Sequence, residues 1–568
     1  MGDVKEIWSK YDAMVRYNTG FRENKNFYDS IKVWHDFYNG DQWVGLSGDQ
    51  KLPHPVFNII KRIIEFKIAS LSSSDISVNV EPLEYNANEK KEGFDVSDFV
   101  NAEIKNIFEK LNMRVKKKDV LLDGAITGDM SFHLVFNPNK KPYRNAEGIM
   151  GEIEIELIDA TNIGFGNANI RDVEKQPYII VVGRDTVKNL KQEAKNKQEI
   201  KADNDTSYQV SDFADVEVDI EGDDEGKALY IYYYYKKNDK VHVTKCTKDC
   251  IIYENIDTGL TRYPIAFANW YKQKGTYHGR GEVEGICPNQ IAINKMFAMI
   301  IYHQMTTAFP TAVYDTRYIE SWSNSIGTAF PIEGDGSVKI TDVAGYLNPA
   351  NMSDYIIKVI DLAFQYTKEC LGVSDASLGQ VDPKNTSAII AVQKSTAVPL
   401  ENIKDNLYDL FEQVVLILLD MMAVKYGTRP VVIENEDGSR TIEQFDFSTL
   451  QGMDLKTSVD VGETTYYSEI ASVQTLDNLL SQNLIDFADY LERIPREMIP
   501  KKAELIAKIK KQAEAMVNSN EQLVNSNEQY EQMAQFLESL PPEQQQQILQ
   551  LPEGQQEQVL MQMMTQRV

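Results

Sequence analysis

HGRGEVEGICPNQIAINKMFAMI, His278 to Ile300, is a glycine-punctuated approach leading straight into an amphipathic helix. Over 282–307 the chain carries Ile286, Gln290, Ile293, Phe297, Ile300 and Ile301 on one broad face, a helical spacing. Pro310 stops that helix. Residues 311–350 are short, Gly- and Pro-punctuated and strand-like. A second helix is expected from Met352 to Leu371, apolar nearly all round except for a polar stripe of Lys358, Asp361, Gln365 and Lys368. Helices apolar on most faces are buried on several sides, and packing between subunits would cover the faces one chain leaves open. Gly372 to Asn385 reads as a loop. From Thr386 to Tyr426 the pattern sustains about forty helical residues, near 60 Å at ~1.5 Å each. Pro399 is expected to kink or break this helix.

Toward the N-terminus, residues 1–45 are aromatic-rich, and Asn39-Gly40-Asp41 interrupts them as a turn. NIIKRIIEFKIASL, from Asn58, puts Ile59, Ile63 and Phe66 beside Ile60, Ile64, Lys67 and Leu71 on adjacent helix faces. Further helices are predicted over Val96–Leu111 and Val115–Thr127, the latter ended by Gly128-Asp129, with SFHLVF as the strand that follows. EIEIELI, 152–158, alternates as a half-buried strand with acid out and isoleucine in. YIIVV, 178–182, is an apolar strand, and Asp185-Thr186 opens a helix through Glu193. Ala202 to Gly226 holds ten acidic residues and no Lys or Arg, a solvated loop. ALYIYYYYKK and VHVTKC, joined by Asn238-Asp239, predict an antiparallel hairpin. Beyond the long helix, 430–465 is strand-like and helices resume to about Met516. In the tail VNSNEQ recurs after seven residues and LPPEQQQQIL loosely after eleven, both helical supercoil periods. A Gln-rich disordered tail is the equal alternative.

The chain has 568 residues, enough for roughly three or four domains at about 150 residues each. Its 42% apolar and 10% aromatic content fills a real core and excludes wholesale disorder. The net charge of −26 argues against tight DNA capture, which needs a surplus of Lys and Arg. Four cysteines make no disulfide framework and suggest a reducing compartment. The charged start lacks a secretory apolar region and the Ser or Thr of a myristoylation signal. The longest apolar run, Val414 to Val424, contains Asp420 and falls short of the ~20 residues a membrane span requires. A soluble, intracellular protein with no membrane association is expected.

Catalytic signatures are missing. The nearest approach to a phosphate-binding loop, Gly226-Lys227, is followed by Ala228. No H-E-x-x-H, G-x-S-x-G or paired C-x-x-C occurs. His242, Cys246 and Cys250 have a helical metal-ligand spacing but lie in a strand pattern, so a surface hairpin with free thiols is favoured over zinc. His278 and His303 are read as structural or capping, and Asp375 and Asp382 as turn formers rather than a site. No catalytic residue, metal or cofactor is assigned, and the chain is read as not an enzyme.

Four features together resemble the portal proteins of tailed bacteriophages: FYNGDQW (Phe37–Trp43) followed by Pro55-Val-Phe-Asn58 and a helix; the 278–300 stretch with Gln290 and Asn294; GVSDASLGQVDPKNTSAIIAVQ (Gly372–Gln393); and the order helix, short β insert, helix, loop, long kinked helix over 282–427. The resemblance covers most of 25–470. It implies an α+β, portal-like fold, mainly helical, with a wing of 1–280 and 428–470, stem helices 281–307 and 351–371, and a clip of 308–350. A channel loop of 372–386, a long kinked helix of 387–427 and a helical crown with Gln-rich tail of 471–568 complete it.

The resemblance also implies a homo-oligomeric ring, usually of twelve subunits, at one capsid vertex, assembled in the host cytoplasm. Double-stranded DNA passes through it during packaging and ejection. The terminase large subunit and later a head-completion adaptor dock on the clip, and the major capsid protein surrounds the ring. On this chain Ser377, Gln380, Asp382, Lys384 and Asn385 would form the channel loop, where Lys384 either touches passing phosphate or pairs with Asp382. Tyr314, Arg317, Tyr318, Trp322 and Phe330 would form the terminase- and adaptor-binding clip, an aromatic set that serves equally as a small β core. An acidic conduit lets DNA slide, since like charges within a Debye length of ~8–10 Å repel. A minor capsid or neck protein without a DNA channel is the alternative. A nuclease with dispersed carboxylates is a third reading, which metal-dependent cleavage would revive.

Overall fold

A computed structural model describes residues 2–21, 26–43, 52–72, 76–82, 95–141, 150–194, 200–202, 226–307, 312–323, 331–332, 337, 339–347, 355–372, 386–434, 440–453, 455–460, 466–482, 484–485 and 487–494, with short stretches between 505 and 562. Two compact units emerge, 1–433 with 442–463, and 434–441 with 464–568.

Helices α1 (Gly2–Thr19), α2 (Phe27–Asn39) and α3 (Ile59–Ser72) precede strand β1 (Ser77–Pro82) and helices α4 (Val96–Lys110) and α5 (Met113–Thr127). Strands β2 (Asp129–Asn137), β3 (Glu152–Leu157), β4 (Ile163–Phe165) and β5 (Tyr178–Thr186) lead to the short helix α6 (Val187–Glu193). Strands β6 (Lys227–Lys237), β7 (Lys240–Thr247), β8 (Ile251–Asp257) and β9 (Ile265–Asn269) follow. Next come α7 (Glu282–Thr307), β10 (Ala312–Tyr314), the one-turn α8 (Ile340–Val343), β11 (Ala344–Tyr346), α9 (Tyr355–Cys370) and the forty-residue α10 (Thr386–Lys425). Strands β12 (Thr428–Glu434), β13 (Arg440–Asp446) and β14 (Leu455–Asp460) precede α11 (Tyr466–Ser481), α12 (Phe487–Arg493) and α13 (Pro542–Leu549).

The mixed helix-and-sheet class expected from the sequence is what the chain adopts. Strands β4-β5-β6-β7-β8 form one antiparallel sheet and β3-β2-β9 a second, with two-stranded pairs β1-β14, β10-β11 and β12-β13. The β6–β7 hairpin turns on Asn238 and Asp239, both left-handed (φ 52 and 59). Such a two-residue turn matches strand twist, and Asn and Asp tolerate the conformation.

Helix α10 organises the first core. Ile403, Leu407, Leu410, Phe411, Val414, Val415, Leu418 and Met422 are all fully buried, and the helix packs on β2, β9 and β14. Gln413 accepts from the Phe267 N–H at 3.0 Å and donates to the Phe267 carbonyl at 3.2 Å, so a side-chain amide completes the edge of β9. Asp420, inside the apolar run, accepts from the Thr261 and Arg262 N–H groups at 2.7 and 3.0 Å. The helix continues through Pro399 without the break the sequence allowed for. In the second unit, Leu476, Leu491 and Ile494 form a small core with Ile485 and Tyr490.

Two local expectations are corrected. Glu152 was expected to face solvent with the other acids of β3, but it is buried, bracketed by Lys110 and Lys140. Cys246 and Cys250 were expected as surface thiols. Both are buried, and Cys250 lies in the turn after β7 rather than in the strand. The acidic segment within 203–225 lies outside the described residues.

Candidate stem, clip and channel elements

Two of the segments quoted for the resemblance, Phe37–Asn58 and His278–Ile300, meet at the root of α7, while 373–385 of a third lies outside the described residues. Residues 278–281 pass the C-terminus of α5 so closely that side chains are excluded. A Cβ on Gly128 (φ 98) would lie 2.6 Å from the Gly279 carbonyl carbon, and one on Gly279 would lie 2.2 Å from the Gly128 oxygen. That contact is the reason for glycine in the HGRG stretch.

Three groups of polar contacts then secure the helix. His278, fully buried, lies between Asp129 (Nδ1 to Oδ2, 2.6 Å) and Asn18 (Nε2 to Oδ1, 3.0 Å), with Phe27 and Tyr277 packed on its ring. Asp129 Oδ1 also accepts from Asn269 Nδ2 and the Gly279 N–H at 2.8 and 2.7 Å. Four residues on, Glu282 Oε1 accepts from Lys67 Nζ at 2.5 Å, Tyr271 Oη at 2.6 Å and Trp270 Nε1 at 3.2 Å. Both charges are almost completely buried, a situation tolerated only when they are paired and hydrogen-bonded. Finally Gln290 donates to the Phe57 carbonyl and accepts from the Ile59 N–H, and Asn294 donates to Gln42 at 2.7 Å. Gln42 donates to the Phe37 carbonyl, and Asn58 to that of Tyr38. Phe37–Trp43, Pro55–Asn58 and the Gln290–Asn294 element are thus one packed constellation.

Helix α9 packs antiparallel to α7. Asn289 meets Thr367 at 3.3 Å and Phe297 meets Phe364 with ring centres 6.1 Å apart, over a patch that includes Ile59, Ile63 and Ile293. Away from this seam the pair is apolar and open. Tyr355 is 71% exposed, Ile357 57% and Tyr366 57%, with Leu362, Met299, Tyr302 and Met305 exposed beside them. The excess apolar faces of α9 are therefore left uncovered by the described residues, and exposed apolar surface of this kind marks an interaction site. From Gly285 to Thr307 there is no Asp or Glu, so the acid excess of the chain is not carried by α7.

Between the two helices, β10 and β11 pair antiparallel, Ala312 with Tyr346 and Tyr314 with Ala344. Trp322 stacks on Tyr314 at 5.7 Å and meets Tyr346 edge-on at 5.9 Å, with Ile319 and Val343 buried nearby. The Arg317 guanidinium grips Asp315 with three hydrogen bonds, Nη2 to Oδ2 at 2.6 Å and Nε to Oδ1 and Oδ2 at 3.0 and 3.1 Å, holding that carboxyl below its ordinary range. Its guanidinium stands 5.9 Å from the Tyr318 ring. Tyr314, Arg317, Tyr318 and Trp322 thus share one small β unit, in which Tyr314 and Trp322 are in direct contact. Phe330 lies outside the described residues, as do Ser377, Gln380, Asp382, Lys384 and Asn385 of the loop. Tyr346 was missed from the sequence because its partnership with Trp322 spans two loops. Exposed Val313, Ile340 and Leu347 extend the same surface.

Among the described residues no group of His, Cys, Asp or Glu is placed to hold a metal ion, and no helix is long and apolar enough to cross a membrane. No curated protein matches the chain. The model of one family, described as phage P22-like portal protein, matches residues 14–567, a span that takes in the α7 root, the β10–β11 unit and the C-terminal helices alike. The chain belongs to the phage P22-like portal protein family, a structural family whose members form a DNA conduit.

Proposed function

We propose that copies of this chain close into a ring, of twelve subunits, at one vertex of the capsid. Subunits are made in the host cytoplasm. The observation that carries this reading is the open apolar face of α9 and distal α7, which a neighbouring stem would cover. In this arrangement 281–307 and 351–371 are the stem, 1–280 with 428–470 the wing, 308–350 the clip and 471–568 the crown. The 372–386 loop, with Ser377, Gln380, Asp382, Lys384 and Asn385, faces the DNA. The terminase large subunit and then a head-completion adaptor dock on the clip around Tyr314, Arg317, Tyr318, Trp322 and Phe330, and the major capsid protein surrounds the wing. DNA enters and leaves through the same bore. No catalytic role is assigned to the chain, and the motor is a separate protein.

Light scattering on the purified chain, with negative-stain images of the same fraction, tests the ring. Twelve copies of 64.7 kDa make a particle of roughly 776 kDa with a central hole. A stable dimer or trimer without a hole would refute the reading in favour of a neck component. Deleting 373–385 tests the loop: rings should still form while DNA packaging or retention fails, and loss of folding would overturn the assignment.

A further inference from the structure

We infer that the polar contacts at the root of α7 are positioning elements that set the number of subunits in the ring. The inference rests on the ring reading, and it concerns how many copies close rather than whether they do.

The contacts divide α7 in two. From His278 to Asn294, side-chain hydrogen bonds reach α1 and β2 (Asn18, Asp129), α3 (Lys67), the two residues that follow β9 (Trp270, Tyr271) and the α2–α3 connection (Gln42, Phe57). Glu282 and Asn294 are twelve residues apart, about 18 Å along the axis. Contacts at both ends of that span fix tilt, and contacts on different sides fix rotation. From Lys295 to Thr307, among the described residues, no side-chain hydrogen bond ties the helix to another element. Only apolar contacts such as Phe297 with Phe57 and Phe364 remain.

Apolar packing alone tolerates several arrangements, whereas buried polar groups have one in which every donor is satisfied. Ring closure needs that discrimination. Rings of twelve and thirteen differ by only about 2° in the rotation between neighbours. The tip of α7 lies roughly 37 Å from Glu282, so a tilt of about 2° at the root moves the tip by more than roughly 1 Å. A displacement of that size separates a packed interface from a gapped one. An apolar face that merely sticks cannot count. The buried Lys67–Glu282 pair and the Gln42–Asn294–Gln290 chain hold the lever in one place.

Native mass spectrometry of full-length rings reads the subunit count directly. Two double variants loosen the root while keeping it neutral and filled: Lys67→Met with Glu282→Gln, and Gln42→Leu with Asn294→Leu. The wild-type chain should give one count, and each root variant two or more adjacent counts with unchanged circular dichroism. Met299→Ser with Met305→Ser, beyond the root, should lower the yield of rings at an unchanged count. Root variants that close with the wild-type count would overturn the inference and leave the ring intact as a reading, as would a wild-type chain that itself spans several counts. A wild-type chain that forms no ring would sink both. If the Lys67 and Glu282 variant fails to fold, the Gln42 and Asn294 variant, which leaves the ion pair in place, decides in the same terms.

Discussion

Replacing Ile357 and Leu362 on α9 with serine should separate folding from assembly. Both side chains are about half exposed in the single chain, so about half of their burial remains to be gained at a subunit contact. Full burial of such a side chain contributes about 1.5–3 kcal/mol, leaving about 1 kcal/mol for each at the interface. Together they are worth about 2 kcal/mol per contact, or roughly thirtyfold in the association constant. Each subunit in a closed ring makes two such contacts and feels the loss twice. Light scattering over a concentration series should show the ring-to-monomer midpoint rising at least tenfold. The urea midpoint of the monomer should move little, because exposed positions usually change stability by no more than about 0.5 kcal/mol. Lys358→Ala, in the polar stripe of the same helix, is the control and should leave the midpoint where it was. A double variant that assembles at wild-type concentration refutes the assignment of this face, and a destabilised monomer shows that the side chains serve the chain's own core.

Burial pushes Glu103 up to about 7, opposed by Asn106, Arg429 and Lys110 and reinforced by Glu152. A carboxyl raised in the folded state gives stability that is complete below about 4.5 and lost as pH rises through about 7. Glu103→Gln should therefore match the parent near pH 4 and exceed it by up to about 3 kcal/mol at pH 8 in urea titrations. Lys67→Met alone leaves Glu282 buried without its counter-charge and should cost about 3–5 kcal/mol, most of it recovered by adding Glu282→Gln; calorimetry of both variants checks the order. Gly279→Ala drives a methyl into the Gly128 carbonyl and should cost more than about 3 kcal/mol, read as loss of soluble folded chain, whereas Gly275→Ala meets nothing within 4 Å and should fold, with only the modest strain of its left-handed backbone (φ 81). Trp322→Ala should leave rings whole and abolish capture of the terminase large subunit; undiminished capture would remove the aromatic cluster from the docking surface.

Local chemistry was legible where the physics is local. The bounds of α7, the stop of α5 at Gly128 and the Asn238-Asp239 turn follow from periodicity, a left-handed glycine and a two-residue hairpin. What escaped depends on residues far along the chain. Glu152 looked solvent-facing because its alternation ignores Lys110 and Lys140, which arrive from α4 and the turn after β2. Lys67 looked like one more residue on an amphipathic face, and only Glu282, 215 positions later, explains a buried amine there. His278 was read as structural, as it is, but Asp129 and Asn18 carry no local mark of that partnership. The aromatic density around Tyr314, Tyr318 and Trp322 was legible, while the contact between Trp322 and Tyr346 required the β10–β11 register.

The His278 contact also imposes a timetable on synthesis. Asn18 and His278 are 260 positions apart, and Asp129 and His278 are 149 apart. At about 5–20 residues per second, Asn18 has left the ribosome roughly 10–50 s before its partner is made. Until His278 is made, Asn18 and Asp129 are without the imidazole that bridges them. The open face of α7 and α9 is translated only afterwards. A growing chain therefore presents these apolar helices only once every residue of the α7 root has been made, while α10, which fills the core of the same unit, is still to come.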